Sequence, residues 1–151
     1  MNSISCGFLI LNSKNEILAC HPTGASFNEG NWNVPKGMKA MDETNDFNTA
    51  LRELDEETNL NGMTVHFEFD PGVMPYLRTK DIHLFVARAR ADDVIEQVYC
   101  KSTFKNDRGF WIQEMDAFTW TSDIEMFSKG LRTVIKKILD TMNIELGKVK
   151  E

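Results

Sequence analysis

The sequence predicts a mixed α/β fold in which a sheet lies between helices. Three observations predict it: strand-like runs outnumber helical ones, the two amphipathic helical stretches stand far apart, and no internal repeat appears. At 151 residues the chain has the length of one domain, 1–151, with a polar tail from about 141.

Ser3 to Leu11 reads as a strand, nearly continuous in apolar residues from Cys6 onward. Asn12-Ser13-Lys14-Asn15 is a turn cluster and Glu16 to His21 returns, so the two runs form a hairpin. Pro22 to Asn31 is a loop, and Trp32 to Val34 a short strand. A helix follows from about Asp46 to Thr58, with Phe47, Ala50, Leu51 and Leu54 as its core-facing stripe. Asn59 is a plausible left-handed stop. Thr64 to Asp70 alternates Val65, Phe67 and Phe69 with polar neighbours, a half-buried strand that Pro71-Gly72 breaks. Asp81 to Arg90 is another strand, with Ile82, Leu84 and Val86 on one side. Ala91 to Asn106 shows no clear pattern and reads as a surface excursion, and Gly109 to Gln113 as the last strand. Met126 to Ile138 supplies a second helix with Met126, Leu131, Val134, Ile135 and Ile138 inward, and the tail after Glu145 is expected to fray.

Composition narrows the function. A net charge of −6 argues against nonspecific binding to a nucleic-acid backbone, so a polyanionic substrate needs local help from metal, Lys or Arg. No apolar run approaches a membrane span, and Met1-Asn2-Ser3 opens no signal peptide. Cys6, Cys20 and Cys100 show no metal spacing and read as buried, reduced thiols of a cytoplasmic protein.

The most informative stretch is Arg52-Glu53-Leu54-Asp55-Glu56-Glu57. On a helix, Glu53, Glu56 and Glu57 stand at i, i+3 and i+4 and share one face. They fall in the last two turns, where the helix dipole is negative and each exposed carboxylate costs roughly 0.3–1 kcal/mol. Arg52 reaches Glu56 in the less favourable orientation and offsets little of this. The compensation missing from the sequence is a cation, and carboxylate oxygens suit Mg²⁺ or Mn²⁺. Glu56 and Glu57 are the expected metal ligands, with Glu53 a third ligand or the general base. Gly37, lacking a Cβ, can offer its carbonyl to the same ion.

Gly37 to Leu60 resembles the Nudix box, Gly-x5-Glu-x7-Arg-Glu-U-x-Glu-Glu-x-Gly-U with U aliphatic. Gly37, Glu43, Arg52, Glu53, Leu54, Glu56, Glu57 and Leu60 fill eight of nine fixed places, over about a sixth of the chain. Asn59 replaces the second glycine, and one extra residue lies between Glu43 and Arg52, most naturally before the helix. Trp32-Asn33-Val34-Pro35-Lys36-Gly37 is similar to the family's entry strand, as is Phe110-Trp111-Ile112 to a distal one. The resemblance implies an α/β/α sandwich and metal-dependent hydrolysis of a pyrophosphate bond in a nucleoside diphosphate linked to a further moiety. Arg52 points away from the ligands and orients Glu53 or the Gly37 loop. Glu53, Glu56 and Arg52 form the catalytic set, and Glu43 joins the substrate side. Since family members sometimes place the base on a distal loop, Asp107 and Glu96 are candidates for it.

Specificity lies outside the box. Pro75 and Tyr76 stand fifteen and sixteen residues past Leu60, which resembles a blend of the family's ADP-ribose and diadenosine polyphosphate classes. Tyr76 can stack on adenine, Lys36 can contact phosphate, and His21 lies near the expected substrate side. ADP-ribose or a diadenosine polyphosphate is the first choice of small-molecule substrate. RNA 5′ ends, nucleoside triphosphates and a non-catalytic nucleotide-binding module are the alternatives. No membrane partner is expected, and a homodimer is compatible with the sequence.

Overall fold

In the computed structural model, which describes residues 3–149, strand alternation builds two cores on one sheet. Along β1 (Ser3–Leu11), Cys6, Phe8 and Ile10 face one way while Leu9 and Leu11 face the other, and all five are buried. The helix α1 (Asp46–Thr58) covers the first face with Ala50 and Leu54. The helix α2 (Lys129–Met142) covers the second with Leu131, Val134, Ile135 and Ile138. The result is an α/β/α sandwich.

The sheet is mixed. β6 (Lys80–Ala89) runs parallel to β1, and β2 (Ile17–Pro22) pairs antiparallel with β1. β4 (Val65–Phe69) and β5 (Val73–Leu77) pair with β6, and β9 (Met115–Thr121) with β2. β3 (Lys36–Met38) lies antiparallel to β1, setting Gly37 opposite Cys6 and Lys36 opposite Gly7. Gly7 is where the two chains cross: a Cβ there would collide with the Pro35 carbonyl. β6 is buried on both faces, with Phe85, Ala87 and Ala89 toward α1 and Ile82, Leu84 and Val86 toward α2.

Several expectations are corrected. Trp32 to Val34 is not a strand; it makes only isolated bridges, Cys20 with Asn33 and Trp32 with Phe127, and the strand begins at Lys36. Trp111–Gln113 (β8) pairs only with β7 (Thr103–Lys105) in a small separate hairpin, and the long last strand is β9, hidden in sequence by its Asp and Thr residues. The excursion after β6 returns to the sheet side through a short 3-10 turn, Asp92–Gln97. The segment after α2 packs back onto the fold: the Asn15 amide donates to the Lys148 carbonyl at 2.7 Å, and Ile144 and Leu146 pack on the α2-side core, while residues 150–151 of the expected tail lie outside the described residues. Cys6, Cys20 and Cys100 are free and buried, as expected.

Candidate active site

Asn45 caps α1 by accepting the Asn48 N–H at 3.1 Å, and Asn59 ends it in the left-handed region at φ 64°. The carbonyls of the last turn are taken by the chain returning after the 3-10 turn. Glu56 O accepts from Lys101 N at 2.6 Å and Ser102 N at 3.0 Å. This covers the negative end of the helix, and the Lys101 ammonium pairs with Asp55 at 2.7 Å.

The three glutamates share a face but not an environment. Glu57 is 3% exposed, and its Oε1 accepts the Lys36 backbone N–H at 2.9 Å. Burial, with the charges of Glu53 and Glu114 adding to it, pushes its carboxyl up to about 8. Glu53 lies against Gly37, where a Cβ would fall inside its carboxylate, and burial raises its pKa too. Glu56 is the most open, with 39% of its side chain exposed. Only one of the three is therefore held out to solvent.

Arg52 does not point away. Its Nη1 lies 3.0 Å from Glu53 Oε1 and 3.1 Å from Glu56 Oε2, and its Nη2 donates to the Met38 carbonyl at 2.9 Å. Its Nε and Nη2 also hold Glu43 at 2.8 and 3.0 Å, and the Ala40 N–H donates to Glu43 at 2.7 Å. Hydrogen bonds from Arg52 then hold the Glu43 carboxyl down at about 2. The extra residue of the box is absorbed in the loop before Asn45, and Glu43 serves Arg52 rather than standing free for substrate. Arg52 is the compensation that the sequence reading judged small: one guanidinium ties the β3 loop and three carboxylates together.

Among the described residues no three acidic, His or Cys side chains gather on a single point as metal ligands do. The donor chemistry nevertheless fits a hard divalent ion: mutually repelling carboxylates, one buried and one half-buried, stand on one helix face beside a glycine. Arg52 Nη1 lies between Glu53 and Glu56, where such charge is needed.

Lys36 and Tyr76 are brought together, the ammonium 5.5 Å from the ring centre. Lys36 is largely enclosed, which lowers its pKa. His21 is not brought to the site. It lies inside β2, fully buried, with Nδ1 on Asp116, Nε2 on the Ser26 carbonyl at 3.1 Å, and its ring stacked 3.8 Å from Phe27. Glu96 sits exposed on the 3-10 turn and Asp107 in the exposed β7–β8 turn, and neither is among the largest influences on Glu53 or Glu57. Glu114 does perturb them. It follows β8, accepts from Ser102 Oγ at 3.1 Å, and its charge raises both Glu53 and Glu57. Sequence reasoning missed it because no spacing ties it to the helix; its place just after the aromatic Phe110–Ile112 run was the only signal.

This fold and its acidic helix define a hydrolase of phosphoric anhydrides. The chain belongs to the Nudix family, whose NUDIX domain model matches residues 1–130. It is 28% identical over 122 residues, 78% of this chain and 81% of the other, to an uncharacterized 17.7 kDa protein of the e-segB intergenic region of Enterobacteria phage T4. The fold is similar to an Ap4A hydrolase of C. elegans in a binary complex, with TM-score 0.64 and 17% identity over 92% of this chain and 98% of that one. It is also similar to a bifunctional NMN adenylyltransferase/ADP ribose pyrophosphatase of Francisella tularensis complexed with AMP and a manganese ion. There the TM-score is 0.62 at 16% identity, over 93% of this chain and 42% of the longer one. No helix among the described residues is long and apolar enough to cross a membrane.

Proposed function

We propose that the protein hydrolyses the pyrophosphate bond of a nucleoside diphosphate linked to a further moiety, with ADP-ribose or a diadenosine polyphosphate as substrate. The observation that carries this is the helix face of Glu53, Glu56 and Glu57, the last buried and the first half-buried, set against Gly37 with Glu114 adding its charge to both of these acids. The Ap4A and ADP-ribose activities named for the two similar structures agree with it.

Glu53, Glu56, Glu57 and the Gly37 carbonyl would hold Mg²⁺ or Mn²⁺, which when bound supplies neutralisation of phosphate charge and a more acidic water. Arg52 fixes Glu53, Glu56 and the β3 loop in one frame. Glu114 takes the proton of the attacking water as general base, in place of Asp107 and Glu96. Lys36 receives phosphate charge, and Tyr76 beneath it offers a face to adenine.

A panel of ADP-ribose, diadenosine polyphosphates, nucleoside triphosphates and capped RNA with Mg²⁺, its products separated by chromatography, tests the reading. AMP should appear from the first two. Glu114→Gln should lower kcat by ~10²–10⁴-fold, while Asp107→Asn and Glu96→Gln leave it unchanged. Equal losses in all three variants would remove the base assignment, and no turnover of any dinucleotide would remove the substrate assignment.

A further inference from the structure

The β7–β8 hairpin carries large apolar side chains that no core uses. Phe104, Phe110 and Trp111 are 38%, 65% and 69% exposed and join none of the buried clusters among the described residues. Between and beside them stand Lys101, Lys105 and Arg108 against the single carboxylate Asp107, in a chain whose net charge is −6. Lys101 is tied to Asp55, while no ion pair engages Lys105 or Arg108 among the described residues.

The arrangement is preorganised. Asn106 Oδ1 accepts from Arg108 N at 3.0 Å and Phe110 N at 2.9 Å, and Gly109 turns the chain at φ +82°. Trp111 pairs across the hairpin with Lys105, and Phe104 with Ile112. Directly opposed residues of an antiparallel pair sit about 5 Å apart at Cβ, so a ring stacked on Trp111 has an ammonium beside it. At the root, Ser102 N donates to Glu56 O at 3.0 Å and Glu114 N donates to Ser102 O at 3.0 Å, which fastens the hairpin to the acidic helix.

We propose that the Trp111 face of this hairpin is a platform for single-stranded nucleic acid, Trp111 stacking a base with Lys105 beside it on the same face and Arg108 at the turn meeting the adjoining phosphate. Phe104, one residue out of step, lies on the other face. An aromatic ring offers its face to any base, and unpaired cations track a polyanion. A duplex hides its base faces and meets the −6 chain only through its backbone, so the preference is for a single strand. This goes beyond hydrolysis of a small dinucleotide and does not depend on it.

Trp111 supplies the readout, because Trp32 is 8% exposed and Trp120 is half-buried. A short single-stranded oligoadenylate, titrated with EDTA present so that nothing is cut, should quench tryptophan fluorescence. Trp111→Ala should weaken binding measured by fluorescence anisotropy of the labelled strand by at least ~5-fold. Lys105→Ala should reduce the slope of log K against log salt by ~0.7. Circular dichroism verifies that both exposed-site variants are folded. Four results would overturn the proposal: undiminished binding by Trp111→Ala, equal binding of a duplex, equal quenching by AMP alone, or a dimer that Trp111→Ala converts to monomer. The third would make the hairpin a single-base subsite, and the fourth would give the face to a second copy of the chain.

Discussion

Replacing Glu57 by Gln separates what this side chain costs the fold from what it gives the chemistry. Gln keeps an Oε1 to accept the 2.9 Å bond from Lys36 N and removes a carboxyl that burial holds at about 8, against an ordinary 4.5. A carboxyl with a raised folded pKa binds its proton more tightly in the fold than in the unfolded chain. Its contribution is therefore intact below pH 4.5 and is lost progressively as pH climbs to about 8. At pH 7 the loss is about 3 kcal/mol, at 1.36 kcal/mol for each pH unit above 4.5. Metal-free Glu57→Gln should then melt roughly 6–12 °C above the parent at pH 7, a gap that closes near pH 5. Millimolar Mg²⁺ should raise the parent's melting temperature more than the variant's, by linkage to the folded state. Turnover should fall roughly 100-fold or more, since the lost charge stabilisation is worth several kcal/mol. Differential scanning fluorimetry across pH, in EDTA and in Mg²⁺, makes the comparison. A variant that melts no higher than the parent at pH 7 without metal would refute the reasoning, because Glu57 would then not be an acid held against its own burial.

Gly37→Ala should leave the melting temperature within ~2–4 °C of the parent, equivalent to ~1 kcal/mol, because the nearest atoms its Cβ meets are the far end of the Glu53 side chain. Activity should nevertheless collapse as that carboxylate is displaced, which steady-state assays will read. Gly7→Ala should do the reverse and lower stability by ~1–3 kcal/mol or more, since the collision is with the Pro35 carbonyl and β3 has to move. Arg52→Ala frees Glu43, whose pKa is held at about 2. The parent should therefore lose stability as pH falls from about 5 toward 2, and the variant should lack that part of the acid transition in a fluorimetric titration. Asn59→Gly should be nearly neutral and Asn59→Ala should cost about 1 kcal/mol in urea unfolding, because φ there is 64°.

The first helix and the stretches with one dominant period were legible, whereas the second helix runs Lys129–Met142 rather than Met126 to Ile138, because Met126 ends a separate 3-10 turn. α1 runs from Asp46 to Thr58 as its stripe and the Asn59 stop indicate, and β1 follows its apolar run from Ser3 to Leu11. β9 and β5 were not, because each carries polar or turn residues where an edge meets solvent: Asp116 and Thr119 in the first, Pro75 in the second. His21 was expected near the substrate side because its two partners, Asp116 and Ser26, lie on other segments. Arg52 was undervalued for the same reason: its Glu56 contact is local, but its Glu43 and Met38 contacts need the β3 loop folded back onto the helix.

What the sequence by itself determined is the chemistry on offer: which carboxylates share a helix face, which glycine stands before them, and where the helix stops. Those properties depend on covalent spacing and helical period, which act over a few residues. Only the tertiary structure decided which acid is buried, which is open, and which distant acid joins them. Burial and through-space charge depend on what packs above a side chain. Here the decisive neighbours, Lys36 N over Glu57 and Glu114 near Glu53 and Glu57, come from β3 and from the chain just after β8.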